Sequence, residues 1–517
     1  MDISFEIERL VNYAIQKQLI KPSDETYIRN IFLDMFKVNT SQFPKSFNEI
    51  SELFGIADSP TEILDNILDY CARNEILKND TITERDLFDS KIMGVLLDKP
   101  SQVNNKFYSL YKDDKKKATD YFYNFAIDSN YIRMDRINKN LYWVDDVEYG
   151  ELEITINLSK PEKNPKDIEK AKSLPQTGYP KCLLCRENEG FAGNLNHPAR
   201  QNLRLINLEL NNKSWFLQYS PYIYYNEHCI VINENHTPME INKNTFINFI
   251  EFLDFLPHYF IGSNTDIPIV GGSILSHDHY QGGRHVFPLE KAPAYEKYNA
   301  PNRDINISLI KWPMSVIRIS SKNKDEMINL SEFILNEWKN YSDIEADIIS
   351  HTNETRHNAI TPIGRINKNG EYEFDLVLRN NRTTAEFELG IFHPHENLHH
   401  IKKENIGLIE VMGLAILPER LLYELDEIEN IISGMSTTEL SKIDNENCPL
   451  SKHNHWIVYL IEKYGFDNTK KEAKEIIKKE TSIKFWNVLK DAGVFKDTEK
   501  GKSQFAKFVD SLGFTKL

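Results

Sequence analysis

The chain has 517 residues, 40% of them hydrophobic and 27% charged, enough to bury a sizeable core in about two to four domains. A formal net charge of -15 argues against a general nucleic-acid binder, because phosphate backbones are held chiefly by Lys and Arg. No apolar run approaches the roughly 20 residues needed to cross a bilayer, and the start MDISFEIERL lacks the basic end and apolar centre of a signal peptide, so a cytoplasmic protein without a membrane partner is expected.

Residues 1 to about 150 are expected to be mainly helical. In ISFEIERLVNYAIQ the apolar positions Ile3, Ile7, Leu10, Val11, Ala14 and Ile15 recur at helical spacing and predict a packing helix. NYIRMDRINKNLYWV predicts two short strands around a turn at Asn138 to Asn140, which with the helices before it would form a winged-helix-like unit. LSKPEKNPKDIEKAKSLPQTGYPK is charged, interrupted by proline and poor in apolar residues, and is expected to be a connector with a boundary near residue 160.

From about residue 180 the pattern changes to strands separated by Gly and Asn turns. SWFLQYSPYIYY, EHCIVINEN, IPIVGGSIL and RHVFPLE predict strands, and NTFINFIEFLDFLPHYF predicts a helix among them. A second passage repeats the order with MSVIRIS, the helix-like KDEMINLSEFILNEWKNY, then YEFDLVLRNN and ELGIFHPH. The expected class is α+β: a helical region over 1–160, a catalytic half over 161–305, a related half over 306–404, and a mainly helical region over 405–517.

The five cysteines, Cys71, Cys182, Cys185, Cys229 and Cys448, are odd in number and scattered, a poor disulfide framework. Only Cys182 and Cys185 share a local motif, C-x-x-C, whose two thiolates can reach one tetrahedral zinc ion from a turn. A redox pair is the alternative, but the strand-to-helix start of a thioredoxin-like site is missing. His236 and His277, at or just past predicted strand ends, are the candidates for the other two zinc ligands.

VGGSILSHDHYQGGRH carries His277 and His279 two residues apart, so on an extended segment they face the same way. One can be tied to metal while the other stays free. Gly271 and Gly272 let a bulky anion approach the backbone, Ser273 offers a hydroxyl and an amide, and Gln281 follows His279 on the same face. Neutral imidazole attacks phosphorus well, and its phosphoramidate can pass the group to a second acceptor if water is excluded. This suits a transferase with two half reactions; a second metal site using both histidines is the competing reading.

GGSILSHDHYQGG, YPKCLLCRENEGFAGNLNHPARQN, YSPYIYYNEHCIVINENHTPM and HPHENLHHIKKENIGLIEVMGLAILPERL closely resemble the second type of galactose-1-phosphate uridylyltransferase, over nearly the whole chain. H-x-H-x-Q more distantly resembles the signature of the histidine-triad-like superfamily, which implies two histidine-triad-like halves with antiparallel sheets. The resemblance implies transfer of UMP from UDP-glucose to galactose 1-phosphate with ping-pong kinetics through a uridylyl-histidine. His279 would be the nucleophile, Gln281 would bond the transferred phosphate, and Cys182, Cys185, His236 and His277 fall at the places of the first type's zinc ligands.

Asp278 and Tyr280 depart from the first type and are expected to change the loop's stiffness and the wall of the pocket. His393 and His395 stand where a remnant of the first type's second metal site is conceivable, but an alternative alignment puts DLVLRNN there, and no second metal is claimed. Arg379, Asn380, Asn381 and Arg382 are the better candidates for sugar-phosphate contacts, because Arg forks match phosphate oxygens, against a reading as a solvated hairpin end. The expected partners are the two small substrates, with a homodimer allowed and no organic cofactor. The rivals are a nucleotide-sugar hydrolase or phosphorylase on the same fold, and a zinc-stabilised binding protein without catalysis.

Overall fold

The computed structural model describes residues 2–39, 57–158, 178–272, 274–301, 303–436 and 448–517, with 49, 52, 55 and 443. Most of the expected connector, including the boundary near residue 160, lies outside these residues, as does Ser273. In chain order the strands are β1 (Leu141–Val147), β2 (Gly150–Ile156), β3 (Ile206–Leu210), β4 (Lys213–Tyr219), β5 (Cys229–Asn233), β6 (Phe260–Gly262), β7 (His279–Gly283) and β8 (Ala294–Asn299). They continue with β9 (Asn306–Ile310), β10 (Val316–Ser321), β11 (His351–Thr352), β12 (Thr355–Arg356), β13 (Asn358–Ile366), β14 (Tyr372–Asn380), β15 (Leu414–Leu417) and β16 (Thr515–Lys516). Apart from β15 alongside β2, the paired strands described run antiparallel, and with the helices around them the class is α+β.

The chain forms two compact units, the first made of Met1–Lys139, Ser159–Ile223 and Glu227–Thr237. Its helices begin as the periodicity predicts: Asp2 caps Ile3–Gln16 by accepting from the Ser4 amide, and Ile3, Ile7, Leu10, Val11 and Ala14 are buried. The helical region packs directly onto strands that lie beyond the connector. Asn104, on the helix Pro100–Asp113, donates to the Leu205 carbonyl and accepts from the Asn207 amide, 2.8 Å in each case, completing the start of β3. Asn202 donates to the Ser129 carbonyl, and Tyr219 on β4 donates to that of Thr119.

The second unit comprises Asn140–Leu158, Tyr224–Asn226 and Pro238–Leu517. Eight of its strands are ordered β16-β8-β9-β10-β14-β13-β6-β7, and β1-β2-β15 form a smaller sheet. This corrects the winged-helix expectation. Met134–Ile137 is a short helix rather than a strand, and the hairpin is β1 with β2, turning at Glu148 and Tyr149. Its partners are β15 and the helix Lys470–Ala492, where Trp486 lies 4.5 Å from Tyr149 between ring centroids.

Other strands than those expected follow the two helices: β5, Lys243–Phe255, β6 and β7 in the first passage, and β10, Lys324–Asn340, the two-residue β11 and β12, then β13 and β14 in the second. Three expected strands did not form. Residues 267–272 are a loop containing Pro268 and two glycines, residues 284–287 lead into the short helix Pro288–Lys291, and residues 388–395 are a series of turns. The strand β13 contains Pro362, although proline normally argues against a central strand. Here its carbonyl accepts from the Ser263 amide at 3.0 Å, and the pairing with β6 begins only at Ile363.

The helical C-terminal region buries His400 against His453, Nδ1 to Nδ1 at 2.8 Å, and His453 Nε2 meets Glu424 Oε2 at 2.9 Å. Burial and the neighbouring His453 push His400 down from 6.5 to about 3. Burial alone would raise Glu424, but His453, Lys452 and Arg420 outweigh it and hold the carboxyl at about 2. The unfolded chain therefore takes up a proton at His400 below about pH 6.5 that the folded chain refuses, so stability falls with pH by about 1.4 kcal/mol per unit for this group. Glu424 adds to the loss only below about pH 4.5, its ordinary value. Unfolding in urea at pH 7 and pH 5 should show a smaller acid loss for His400→Gln than for wild type; an unchanged loss would remove His400 from this account.

Candidate active site

Within the first unit, Cys182 and Cys185 lie on the turn before the short helix Arg186–Asn188, and His236 follows β5. The Cys185 amide donates to the Cys182 carbonyl, and the Leu184 amide points at Cys182 Sγ from 3.4 Å. The two sulfurs are 3.5 Å apart, and Cys185 Sγ is 3.1 Å from His236 Nδ1. Ligands about 2.0 to 2.3 Å from a tetrahedral ion lie roughly 3.3 to 3.8 Å from one another, so the sulfur pair has zinc-ligand spacing and the Cys185–His236 pair is a few tenths of an ångström shorter. Their ligand atoms fall within 4.8 Å of each other, and among the described residues no group around His393 and His395 offers a second such site.

Asn188, three residues after Cys185, supports the turn in a way that the motif alone does not reveal. Its Nδ2 donates to both cysteine carbonyls, at 2.9 Å to Cys182 and 2.8 Å to Cys185, which holds the turn in a ligand-ready shape. Arg186 pairs with Glu234 at 3.1 Å and ties the turn to the end of β5, just before His236.

The H-x-H-x-Q segment belongs to the second unit. His277 is fully buried, and His279 opens β7 with 7% of its surface exposed. His279 Nδ1 lies 2.7 Å from the His277 carbonyl. A carbonyl only accepts, so Nδ1 carries the hydrogen and the lone pair sits on Nε2. Burial pushes this imidazole down to about 4. Gln281 follows on the same face of the strand, opposite Gly262 of β6.

Tyr280 corrects an expectation. It points to the other face of β7, is 2% exposed, accepts from Asn248 Nδ2 at 2.9 Å, and meets Phe249 edge-on. It is a core anchor that fixes the strand, not a wall of a pocket. The third histidine of the quoted stretch, His285, pairs with Glu153 of β2 at 2.9 Å.

The loop between β6 and β7 is tightly packed. A Cβ on Gly271 would strike Thr265 Oγ1, and one on Gly272 would come within 2.8 Å of Asn264 Nδ2, so both positions exclude any side chain. Asn264 also accepts from the Leu408 amide at 2.9 Å. Ile269 has φ of +75°, a strained value for a β-branched residue, in the turn just ahead of the glycines. Asn381 reaches this loop and donates to the Pro268 carbonyl at 3.1 Å, while its Oδ1 meets His357.

The other three residues of that group are not a solvated hairpin end. Arg379 is 1% exposed on β14, donates to Thr361 and to the Ile406 carbonyl, and leaves Nε without a partner. Burial pushes its guanidinium down to about 10. Asn380 bonds Asn358, the Ile349 carbonyl and the Arg382 amide, and Arg382, half-buried, bonds the exposed Asp347.

A buried imidazole with its lone pair on Nε2, followed by a glutamine on one strand face, is an arrangement that can carry a phosphorus-bound group on histidine. Similarity to known proteins narrows the class. Residues 19–238 match the family described as "Galactose-1-phosphate uridyl transferase, N-terminal domain", and residues 252–446 match its "C-terminal domain". The galactose-1-phosphate uridylyltransferase of Caldanaerobacter subterraneus subsp. tengcongensis is 55% identical over 100% of this chain and 99% of its own. That of Clostridium acetobutylicum is 54% identical over 99% and 100%, and that of Bacillus subtilis 46% identical over 99% and 98%. Among solved structures, yeast Ap4A phosphorylase Apa2 aligns with 68% of this chain and 98% of its own at 11% identity and a TM-score of 0.30, too low to bear on fold or function. The chain belongs to the galactose-1-phosphate uridylyltransferase family.

Proposed function

We propose that the protein transfers UMP from UDP-glucose to galactose 1-phosphate, releasing glucose 1-phosphate and UDP-galactose, in two half reactions that share His279. The observation that carries this reading, beyond family membership, is the Nδ1 bond to the His277 carbonyl, which leaves Nε2 as the nucleophile. Nε2 attacks the α-phosphorus, the bond to the β-phosphate oxygen breaks, and glucose 1-phosphate departs with that electron pair. A phosphate oxygen of galactose 1-phosphate then attacks the same phosphorus, the P–N bond breaks, and the imidazole lone pair returns.

In this reading the Gln281 amide donates to the non-bridging oxygens, and the peptide groups of Gly271, Gly272 and Ser273 accept the charge that builds on them. Arg379 offers its spare Nε to the sugar phosphate, and Asn381, through the Pro268 carbonyl, sets the loop ahead of the glycines. Zinc, held by Cys182, Cys185 and His236, would supply a fixed structural tie and no reacting ligand. No described helix is long and apolar enough to cross a membrane, in keeping with a cytoplasmic enzyme acting on soluble substrates.

The test is an exchange assay with UDP-glucose and a panel of hexose 1-phosphates. Galactose 1-phosphate should be the best acceptor, with no UMP released in its absence. Release of UMP to water, or transfer to inorganic phosphate, would replace the transferase by a hydrolase or a phosphorylase.

A further inference from the structure

Ile269 holds φ of +75° in the turn ahead of Gly271 and Gly272, a conformation that a β-branched residue keeps only where its surroundings over-determine it. They do so from several sides. The Thr265 hydroxyl points between the Ile267 and Val270 carbonyls, 3.2 and 3.1 Å away, and closes the turn from within. A Cβ added to Gly390 would lie 3.3 Å from Ile269 Cγ2, so the isoleucine side chain is seated against bare backbone.

The remaining anchors come from one place. β11 and β12, of two residues each, form a two-stranded sheet of their own, too short to be stable alone. Arg356, the last residue of β12, reaches the turn through Asp266, Nη2 to Oδ2 at 2.8 Å, a carboxylate whose side chain is only 5% exposed. His357, the next residue, reaches it through Asn381. Asn381 donates from Nδ2 to the Pro268 carbonyl at 3.1 Å, so its Oδ1 is the atom that meets His357 Nδ1 at 2.9 Å. An amide oxygen only accepts, so Nδ1 carries the hydrogen, and Nε2 accepts from the Thr352 hydroxyl of β11 at 2.9 Å. The backbones are pinned as well: the Asn381 amide donates to the His357 carbonyl at 3.0 Å, and the His357 amide to that of Ser350 at 2.8 Å.

We propose that this hairpin clamps the phosphate loop, with Arg356 and His357 as positioning residues for uridylyl transfer. Neither touches substrate; they hold the turn at Asp266 and Pro268, so that the Gly271 and Gly272 peptides keep one shape. The inference rests on the reading in which those peptides receive the charge of the transferred phosphate. Loss of either anchor lets Ile269 relax towards negative φ and turns the peptides that follow it. A displacement of about 1 Å in such a site costs up to about a hundredfold in rate.

The test is the single-turnover rate, and the final extent, at which the full chain takes label from UDP-glucose labelled in the uridine part. His357→Ala and Arg356→Gln should each slow labelling about tenfold to a hundredfold while the final extent stays at the wild-type level. His357→Asn, whose amide can donate to Asn381 in place of Nδ1, should recover most of the rate. A merely structural role would do the reverse, lowering the final extent through misfolded chains while the rest label at the normal rate; that result would overturn the proposal. Arg356 is half-buried, so Arg356→Gln decides the matter even if His357→Ala does not fold. Wild-type protein that labels beside variants that label equally fast sinks the clamp alone, whereas wild-type protein that never labels sinks the transfer reading and the clamp with it.

Discussion

His279→Gly should lower transfer by about 10⁴-fold or more while the protein still folds, because a nucleophile that forms the intermediate acts in both half reactions and nothing else in H-x-H-x-Q can replace it. The structural cost is modest. The substitution removes one hydrogen bond, that of Nδ1 to the His277 carbonyl, worth about 1 kcal/mol. Tyr280, bonded to Asn248 and packed on Phe249, keeps β7 in place. The wild-type protein, incubated with UDP-glucose labelled in the uridine part, should acquire an acid-labile protein-bound label; the glycine variant should not. Wild-type protein that never becomes labelled, though active, would reject the covalent route. Circular dichroism and the urea midpoint of the variant distinguish lost chemistry from lost fold.

Removing a zinc donor should have the second largest effect. Wild type should hold about one zinc per chain by elemental analysis, and Cys185→Ala should lose it, since three donors without the buried thiolate no longer close a tetrahedron. The first unit should then lose several kcal/mol of stability, on the scale of the roughly 10 to 16 kcal/mol that zinc supplies to small fingers. Activity should fall with the stability of that unit. Cys448→Ser is the control: that half-buried cysteine lies outside the trio, and its substitution should leave the zinc stoichiometry at about one. Wild-type protein that is fully active without zinc would reduce the cysteine turn to packing.

Local chemistry was legible in the sequence wherever the reason for a residue is local. The helix at Ile3–Gln16 follows from its apolar spacing and its Asp2 cap, the helices at Lys243–Phe255 and Lys324–Asn340 from their period, and the cysteine turn from two thiols three positions apart. H-x-H-x-Q places His279 and Gln281 on one strand face whatever surrounds them, because successive strand residues alternate sides.

Tertiary structure alone decided what depends on distant partners. Pro362 sits in an interior strand, where its carbonyl accepts from the Ser263 amide. The glycines ahead of His277 read as an anion cradle, and the fold shows that Asn264 and Thr265 also leave no room there for a side chain. Tyr280 read as pocket wall and became core, since Asn248 offered its hydroxyl a buried partner. Asn188 carries no sequence signature: it matters through two carbonyls it must reach. A side chain's type and period are written in the chain, whereas the satisfaction of its hydrogen bonds and charge is a property of what folding brings beside it.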